Sequence, residues 1–136
     1  AKPFADFSGN GFHVHFSLLD AAGNNVFDNG GADGSETLHH AVGGILHHMA
    51  ASSLIFAPHL NSYRRLEPLS HAPTEISWGY ESRHAAVRIP GGPSQARRIE
   101  HRVAGGDTNP YLVIAAILGA ALEGIERQIA PPPPKS

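Results

Sequence analysis

The chain has no cysteine, which removes disulfides, thiolate metal sites and cysteine nucleophiles. It lacks a bulk basic field: the formal net charge is −2 with neutral histidines, so no nucleic acid partner is expected. The longest uncharged apolar run, residues 111–122, is too short to cross a bilayer. Lys2-Pro3-Phe4-Ala5-Asp6 is too polar to open a signal peptide. No membrane partner and a cytoplasmic location are therefore expected, and no internal repeat is visible. What is present is 136 residues, 41% of them hydrophobic, enough to fill a modest core in one domain.

The positive charge is concentrated. Eight of the ten basic residues are arginine, and seven of those lie between Arg64 and Arg102. Planar guanidiniums suit carboxylates and phosphates, so the cluster points to specific anion recognition. In Arg98-Ile99-Glu100-His101-Arg102 one carboxylate stands between two guanidiniums. Strand side chains alternate, which puts Arg98, Glu100 and Arg102 on one face and Ile99, His101 and Val103 on the other. Phe12 to Leu18 repeats the pattern, with Phe12, Val14, Phe16 and Leu18 opposed to His13, His15 and Ser17. Two such strands would line one polar site. A carboxylate and a neutral imidazole are good partners for a divalent metal.

Turn residues divide the remainder. Ser35 offers an N-cap to a helix of about 20 residues ending before Pro58. Its Gly43-Gly44 pair, each costing about 1 kcal/mol against Ala, implies close packing on another element. Strands are expected at 74–80, 84–89 and 97–103. Asn109-Pro110 opens a second helix, running to about Ile129, that is apolar nearly all round and expected to be buried. Pro131 to Pro134 stops it, or offers a polyproline segment to a partner; helix termination is the favoured reading. Of the ten histidines, His39-His40 and His47-His48 lie about 10 Å apart along one helix, too far for His40 and His47 to share a metal. They are read as solvated or interface residues, although a histidine-rich metal module is a rival function. His13 and His15, two apart on one strand face, are the better candidates.

Five segments in order resemble the glutamine synthetase family. Gly9-Asn10-Gly11-Phe12-His13-Val14-His15-Phe16-Ser17 resembles its ATP- and metal-binding strand, and Asn61-Ser62-Tyr63-Arg64-Arg65-Leu66 its glutamate-binding loop. Arg83-His84-Ala85-Ala86-Val87-Arg88-Ile89-Pro90 resembles its phosphate-contacting arginine segment. Ala96-Arg97-Arg98-Ile99-Glu100-His101-Arg102 and Asn109-Pro110-Tyr111-Leu112 complete the series. The resemblance implies an α+β fold, in which antiparallel strands of the catalytic domain form a curved sheet flanked by helices.

It also implies roles. His13 and Glu100 would hold a metal, Mg²⁺ or Mn²⁺, that bridges the phosphates of ATP. His15 and Ser17 would face the nucleotide. Gly9 and Arg65 would contact glutamate, and Arg102 would bind near its carboxylates and the transferring phosphoryl group. Arg83 and Arg88 would stabilise phosphates, with Arg98 in the same wall. The implied reaction phosphorylates the γ-carboxylate of glutamate, and an amine then displaces phosphate. Fixed cations and metal meet the charge that accumulates on the phosphoryl oxygens.

Leu69-Ser70-His71-Ala72-Pro73 departs from the family. Ammonia-using members carry Glu in a Gly-Tyr-Glu-Ala-Pro-like flap, and His71 stands at that place. A histidine can act as base but lacks the fixed negative charge that binds ammonium. The segment looks more like γ-glutamyl ligases of larger amines such as glutamate–putrescine ligase, as do Trp78-Gly79 and the Pro131 to Pro134 tail. Ser8 replaces the usual Asn, and Gln95 stands where many members have Lys. An organic amine such as putrescine is thus the expected co-substrate. The alternatives are glutamine synthesis from ammonia and a non-catalytic family member with a structural or binding role. Members are about three times as long and form rings with active sites between subunits. Residues 1–136 are accordingly read as part of one catalytic domain, without its N-terminal domain, upstream strands and C-terminal segment. Such a piece is expected to be inactive alone and to belong to a ring-shaped homo-oligomer when full length.

Overall fold

A computed structural model describes residues 1–68, 70 and 72–135. Four strands of three residues each form one sheet: β1 (Val14–Phe16), β2 (Trp78–Tyr80), β3 (Val87–Ile89) and β4 (Ile99–His101). Their order is β1-β4-β3-β2. Among the described residues four α-helices accompany them, α1 (Glu36–Met49), α2 (Ser53–Phe56), α3 (Leu60–Tyr63) and α4 (Pro110–Arg127), with one 3-10 turn at Ser94–Ala96. The α+β class stands as expected.

The alternating strands set the layers. Val14 lies opposite His101, and Phe16 opposite Ile99, so the apolar positions of both strands share a face. That face joins Val87, Ile89 and Trp78 to Leu38, Val42 and Ile45 of α1 and Val113 and Ile117 of α4, all in one buried core. His101 points into it and is fully buried, its ring 4.6 Å from Phe56.

Two of the three pairings are antiparallel, but β2 and β3 run parallel. Parallel neighbours ordinarily need a crossover of a dozen or more residues. Here the strands are only about 10 Å long, and residues 81–86 suffice for the return. Glu81, in the left-handed region at φ 56°, turns the chain out of β2.

Ser35 caps α1 as its sequence position indicated: its hydroxyl accepts from the Leu38 N–H at 3.2 Å and donates to the Val26 carbonyl at 2.6 Å. The expected single helix to Pro58 is instead broken after Met49. The Ser52-Ser53 pair, of a residue type that favours helix ends over helix interiors, opens the separate helix α2, which buries Phe56 and leaves Leu54 exposed. Asn109 caps α4, accepting from the N–H groups of Tyr111 (3.0 Å) and Leu112 (3.4 Å). The expected complete burial of α4 does not hold. Val113, Ile117, Ala120, Ala121 and Gly124 form its buried stripe, while Tyr111, Leu112, Ile114 and Leu122 are exposed. The inference from Gly43-Gly44 does hold: a Cβ on Gly44 would lie 2.6 Å from the Gly124 Cα. No helix among the described residues is long and apolar enough to cross a membrane.

Candidate active site

The sheet register assembles the polar face. His15 lies opposite Glu100, and Glu100 opposite Arg88, so adjacent β1, β4 and β3 each present a charged or polar side chain to one centre. Glu100 is that centre. It is 3% exposed. Its Oε1 lies 2.8 Å from Arg102 Nη1, 3.2 Å from His13 Nδ1 and 3.5 Å from His15 Nε2. Its Oε2 accepts from Arg88 Nη1 at 3.0 Å. The HxH and RxExR segments, 80-odd residues apart in sequence, therefore meet as the alternation implied.

The electrostatics fix the protonation states. Burial by itself would raise the pKa of Glu100, but the guanidiniums of Arg88 and Arg102 outweigh it and hold the carboxyl below the usual range. Burial and the charge of Arg102 lower the pKa of His13 against the pull of Glu100. The site thus keeps an ionised carboxylate beside a neutral imidazole. Among the described residues, no group of three histidine, aspartate or glutamate side chains is arranged to hold a metal ion; His13 Nδ1 and Glu100 Oε1 stand side by side at 3.2 Å.

Arg65 forms the floor. It follows α3, which is anchored by the Ser62 hydroxyl donating to Asp107 Oδ2 at 2.6 Å. The guanidinium of Arg65 donates to the carbonyls of Val103 at 2.7 Å and Arg102 at 3.1 Å. Burial and repulsion from Arg102 lower its pKa, against the attraction of Asp107. Gly9 and Gly11 run over this side chain. A Cβ on Gly9 would lie 3.2 Å from the Arg65 Cβ and Cγ, and one on Gly11 2.8 Å from its Nη2. A cavity of about 220 Å³ opens here, lined by Ser8, Gly9, Gly11, His13, Arg65, Ser70, Ala72 and Arg102. His71 lies outside the described residues, but its two neighbours, Ser70 and Ala72, are in this wall.

The other candidates are more peripheral. Arg98 donates through Nε to His15 Nδ1 at 3.4 Å, so it joins the face at its edge. The Ser17 hydroxyl donates to the Arg97 carbonyl at 3.2 Å. Arg83 is exposed; its carbonyl accepts from Arg102 Nη2 at 2.9 Å, and its charge acts on Glu81. Sequence reasoning missed Glu81, both of whose oxygens accept from Arg88 Nη2 at 3.2 Å. Only its charge could have pointed to it, because the parallel β2–β3 pairing that brings it there was not foreseen. Two of the helix histidines bond elsewhere: His39 bonds Tyr80 and His48 bonds Glu123.

Comparison with known proteins identifies the family. The model of the family described as glutamine synthetase, catalytic domain, matches residues 1–136. The chain is 40% identical over 129 residues to gamma-glutamylputrescine synthetase PuuA of Escherichia coli (strain K12), covering 95% of this chain and 27% of that protein. It is 41% identical over 131 residues to gamma-glutamylethanolamide synthetase GlnA4 of Streptomyces coelicolor, covering 96% and 28%. Against the glutamine synthetase of Thermococcus kodakarensis it is 45% identical over 131 residues, covering 96% and 29%. The solved structure "Apo GmaS without ligand" superposes with a TM-score of 0.87 at 40% identity, covering 99% of this chain and 31% of that one. The chain thus spans less than a third of the length of the relatives and structures it matches. With its whole length matched by the family model, the chain belongs to the glutamine synthetase catalytic-domain family.

Proposed function

We propose that the full-length protein is a cytoplasmic ligase that joins an amine to the γ-carboxylate of glutamate at the expense of ATP, through a γ-glutamyl phosphate. One observation carries this reading: Glu100, buried and ionised, is ringed by His13, His15, Arg88 and Arg102 on a single sheet face. Burying charge is costly unless it is paired and used, and a mere scaffold has no need of the arrangement. The GmaS/ADP complex, to which the chain superposes with a TM-score of 0.88, supports a nucleotide on this fold.

The donor chemistry fits a divalent cation, Mg²⁺ or Mn²⁺. Metal ligands must be deprotonated, and His13 is held neutral while Glu100 is held ionised. A carboxylate has about four lone-pair sites, so two guanidiniums leave room on Glu100 for a further partner. A bound cation would neutralise phosphate charge and polarise the transferring phosphoryl group. Arg88 and Arg102 would hold the phosphoryl oxygens, with Arg83 and Arg98 at the rim. Arg65 and the bare backbone at Gly9 would receive glutamate in the 220 Å³ cavity. His15 and Ser17, on the edge strand β1, would face the nucleotide. The remaining metal ligands, and a second subunit in a ring-shaped homo-oligomer, would come from outside residues 1–136.

The amine is read from His71, where ammonia-using members place a carboxylate. Without that fixed negative charge the loop binds ammonium less well and favours an organic amine such as putrescine. Gamma-glutamylputrescine synthetase and gamma-glutamylethanolamide synthetase are among the relatives, and glutamine synthetases are too. The test is ATP-dependent phosphate release by the full-length enzyme with glutamate and a panel of amines. Organic amines should give at least tenfold higher kcat/KM than ammonium. Ammonium as the best substrate would refute the assignment of His71.

A further inference from the structure

Two sequence features have no part in the polar face, Trp78-Gly79 and the Pro131 to Pro134 run, and the fold brings them together. The prolines do not end α4. Gln128, in the left-handed region at φ 52° and ψ 47°, caps the helix with its N–H turned back to the carbonyls of Gly124 and Ile125. The Ile129 N–H closes the same turn on the Gly124 carbonyl at 2.9 Å. The helix has therefore stopped at Arg127, before Pro131 can act on it, and the proline run needs another explanation.

Residues 130–133 each precede a proline, which bars them from the helical region and favours the extended polyproline II form. That form repeats every three residues, so Pro132 and Lys135 share a face, and both bond Trp78. The indole Nε1–H donates to the Pro132 carbonyl at 2.6 Å, and the Lys135 N–H donates to the Trp78 carbonyl at 2.8 Å. A Cβ on Gly79 would lie 2.6 Å from the Lys135 carbonyl oxygen, so glycine there admits the segment. The aromatic wall is fixed independently of the prolines. Trp78 stands 5.8 Å from His39 and 5.4 Å from Tyr80, ring centre to ring centre. The Tyr80 hydroxyl donates to the Asp33 carbonyl at 2.9 Å and lies 3.0 Å from His39 Nε2.

We propose that Trp78, Tyr80 and His39 form an acceptor groove for a polyproline II segment, and that Pro131–Lys135 is its detachable ligand, bound in cis. The ligand is preordered, so docking it costs little conformational entropy. It also covers β2, an edge strand whose backbone would otherwise be open to pairing. The ion pair between Lys135 and Glu75 joins side chains that are 51% and 64% exposed, a setting in which such pairs contribute little. The hold is therefore concentrated at Trp78. This inference goes beyond the ligase reading and does not rest on it.

The test uses the full-length protein and a labelled peptide, Ala-Pro-Pro-Pro-Pro-Lys, followed by fluorescence anisotropy. A variant with P131G, P132S, P133G and P134S empties the groove and should bind the peptide at least tenfold more tightly than wild type. Adding Trp78→Phe, which keeps a ring but removes the N–H, should weaken that binding fivefold or more. Amide exchange at residues 78–80 should rise at least tenfold in the four-site variant and fall again with peptide. If that variant does not fold, Gly79→Ala, which crowds the Lys135 carbonyl, should raise the same exchange at least tenfold and, because the peptide carries the same lysine carbonyl, peptide should not lower it again. Unchanged exchange in the folded variant used, or no peptide binding by the folded four-site variant, would overturn the proposal. Protection of residues 78–80 in wild type that depends on protein concentration would assign the groove to a second copy and overturn binding in cis. Neither readout involves amine ligation, so these outcomes are independent of the activity assay.

Discussion

Glu100 and His101 are neighbours in sequence and opposites in environment. Glu100 faces arginines and imidazoles; His101 faces the core, with no hydrogen-bond partner for either ring nitrogen among the described residues. Burial, with a smaller contribution from the charge of His13, pushes the pKa of His101 down from 6.5 to about 3. The ring is neutral in the folded protein, whereas the unfolded chain takes up a proton below 6.5. Stability is therefore unaffected above that pH and falls as pH drops from 6.5 towards 3. The limiting slope is about 1.4 kcal/mol per pH unit. His101→Leu, close in volume and without a titrating group, should flatten the stability profile between pH 6 and 4 in denaturant unfolding. An unchanged slope would mean that the imidazole finds a partner in the folded protein. The alternation of the strand foretold which way each of these residues points. It did not foretell that Glu81 would reach Arg88, because that depends on the turn after β2.

At the scale of elements, the helix pair α1 and α4 is built on glycine. A Cβ on Gly44 would meet the backbone of α4 with no flexible side chain to move aside. Gly44→Ala should therefore cost about 1–3 kcal/mol, the range for overpacking. Thermal unfolding of Gly44→Ala in the full-length protein checks the sign. The close packing was legible from Gly43-Gly44, and both helix starts were legible from Ser35 and Asn109. The break after Met49 was not, because alanine favours a helix and only the Ser52-Ser53 pair argues against one. The parallel β2–β3 pair was also hidden. Sequence spacing predicts hairpins for closely spaced strands, and a six-residue parallel return is possible only because the strands are so short.

For the molecule as a whole, the apolar pattern of α4 misled in one respect that is informative. Its residues read as buried all round, yet Tyr111, Leu112, Ile114 and Leu122 form an exposed stripe. An apolar stripe on a helix surface marks an interaction face, consistent with a chain that spans less than a third of its relatives' length. The pattern recorded how apolar the helix is, and composition cannot distinguish burial in this core from burial against other protein. The same holds for the site. One sheet face carries two candidate metal ligands and the arginines around them, and under the proposed function further ligands would come from outside residues 1–136. The most direct measurement is binding of Mn²⁺ with ATP to the full-length protein, read from loss of the free-ion electron paramagnetic resonance signal. Wild type should bind, Glu100→Ala and His13→Ala should each weaken binding at least tenfold, and Arg127→Ala, on the surface of α4, should change nothing. Wild-type affinity in both Glu100→Ala and His13→Ala would contradict the account.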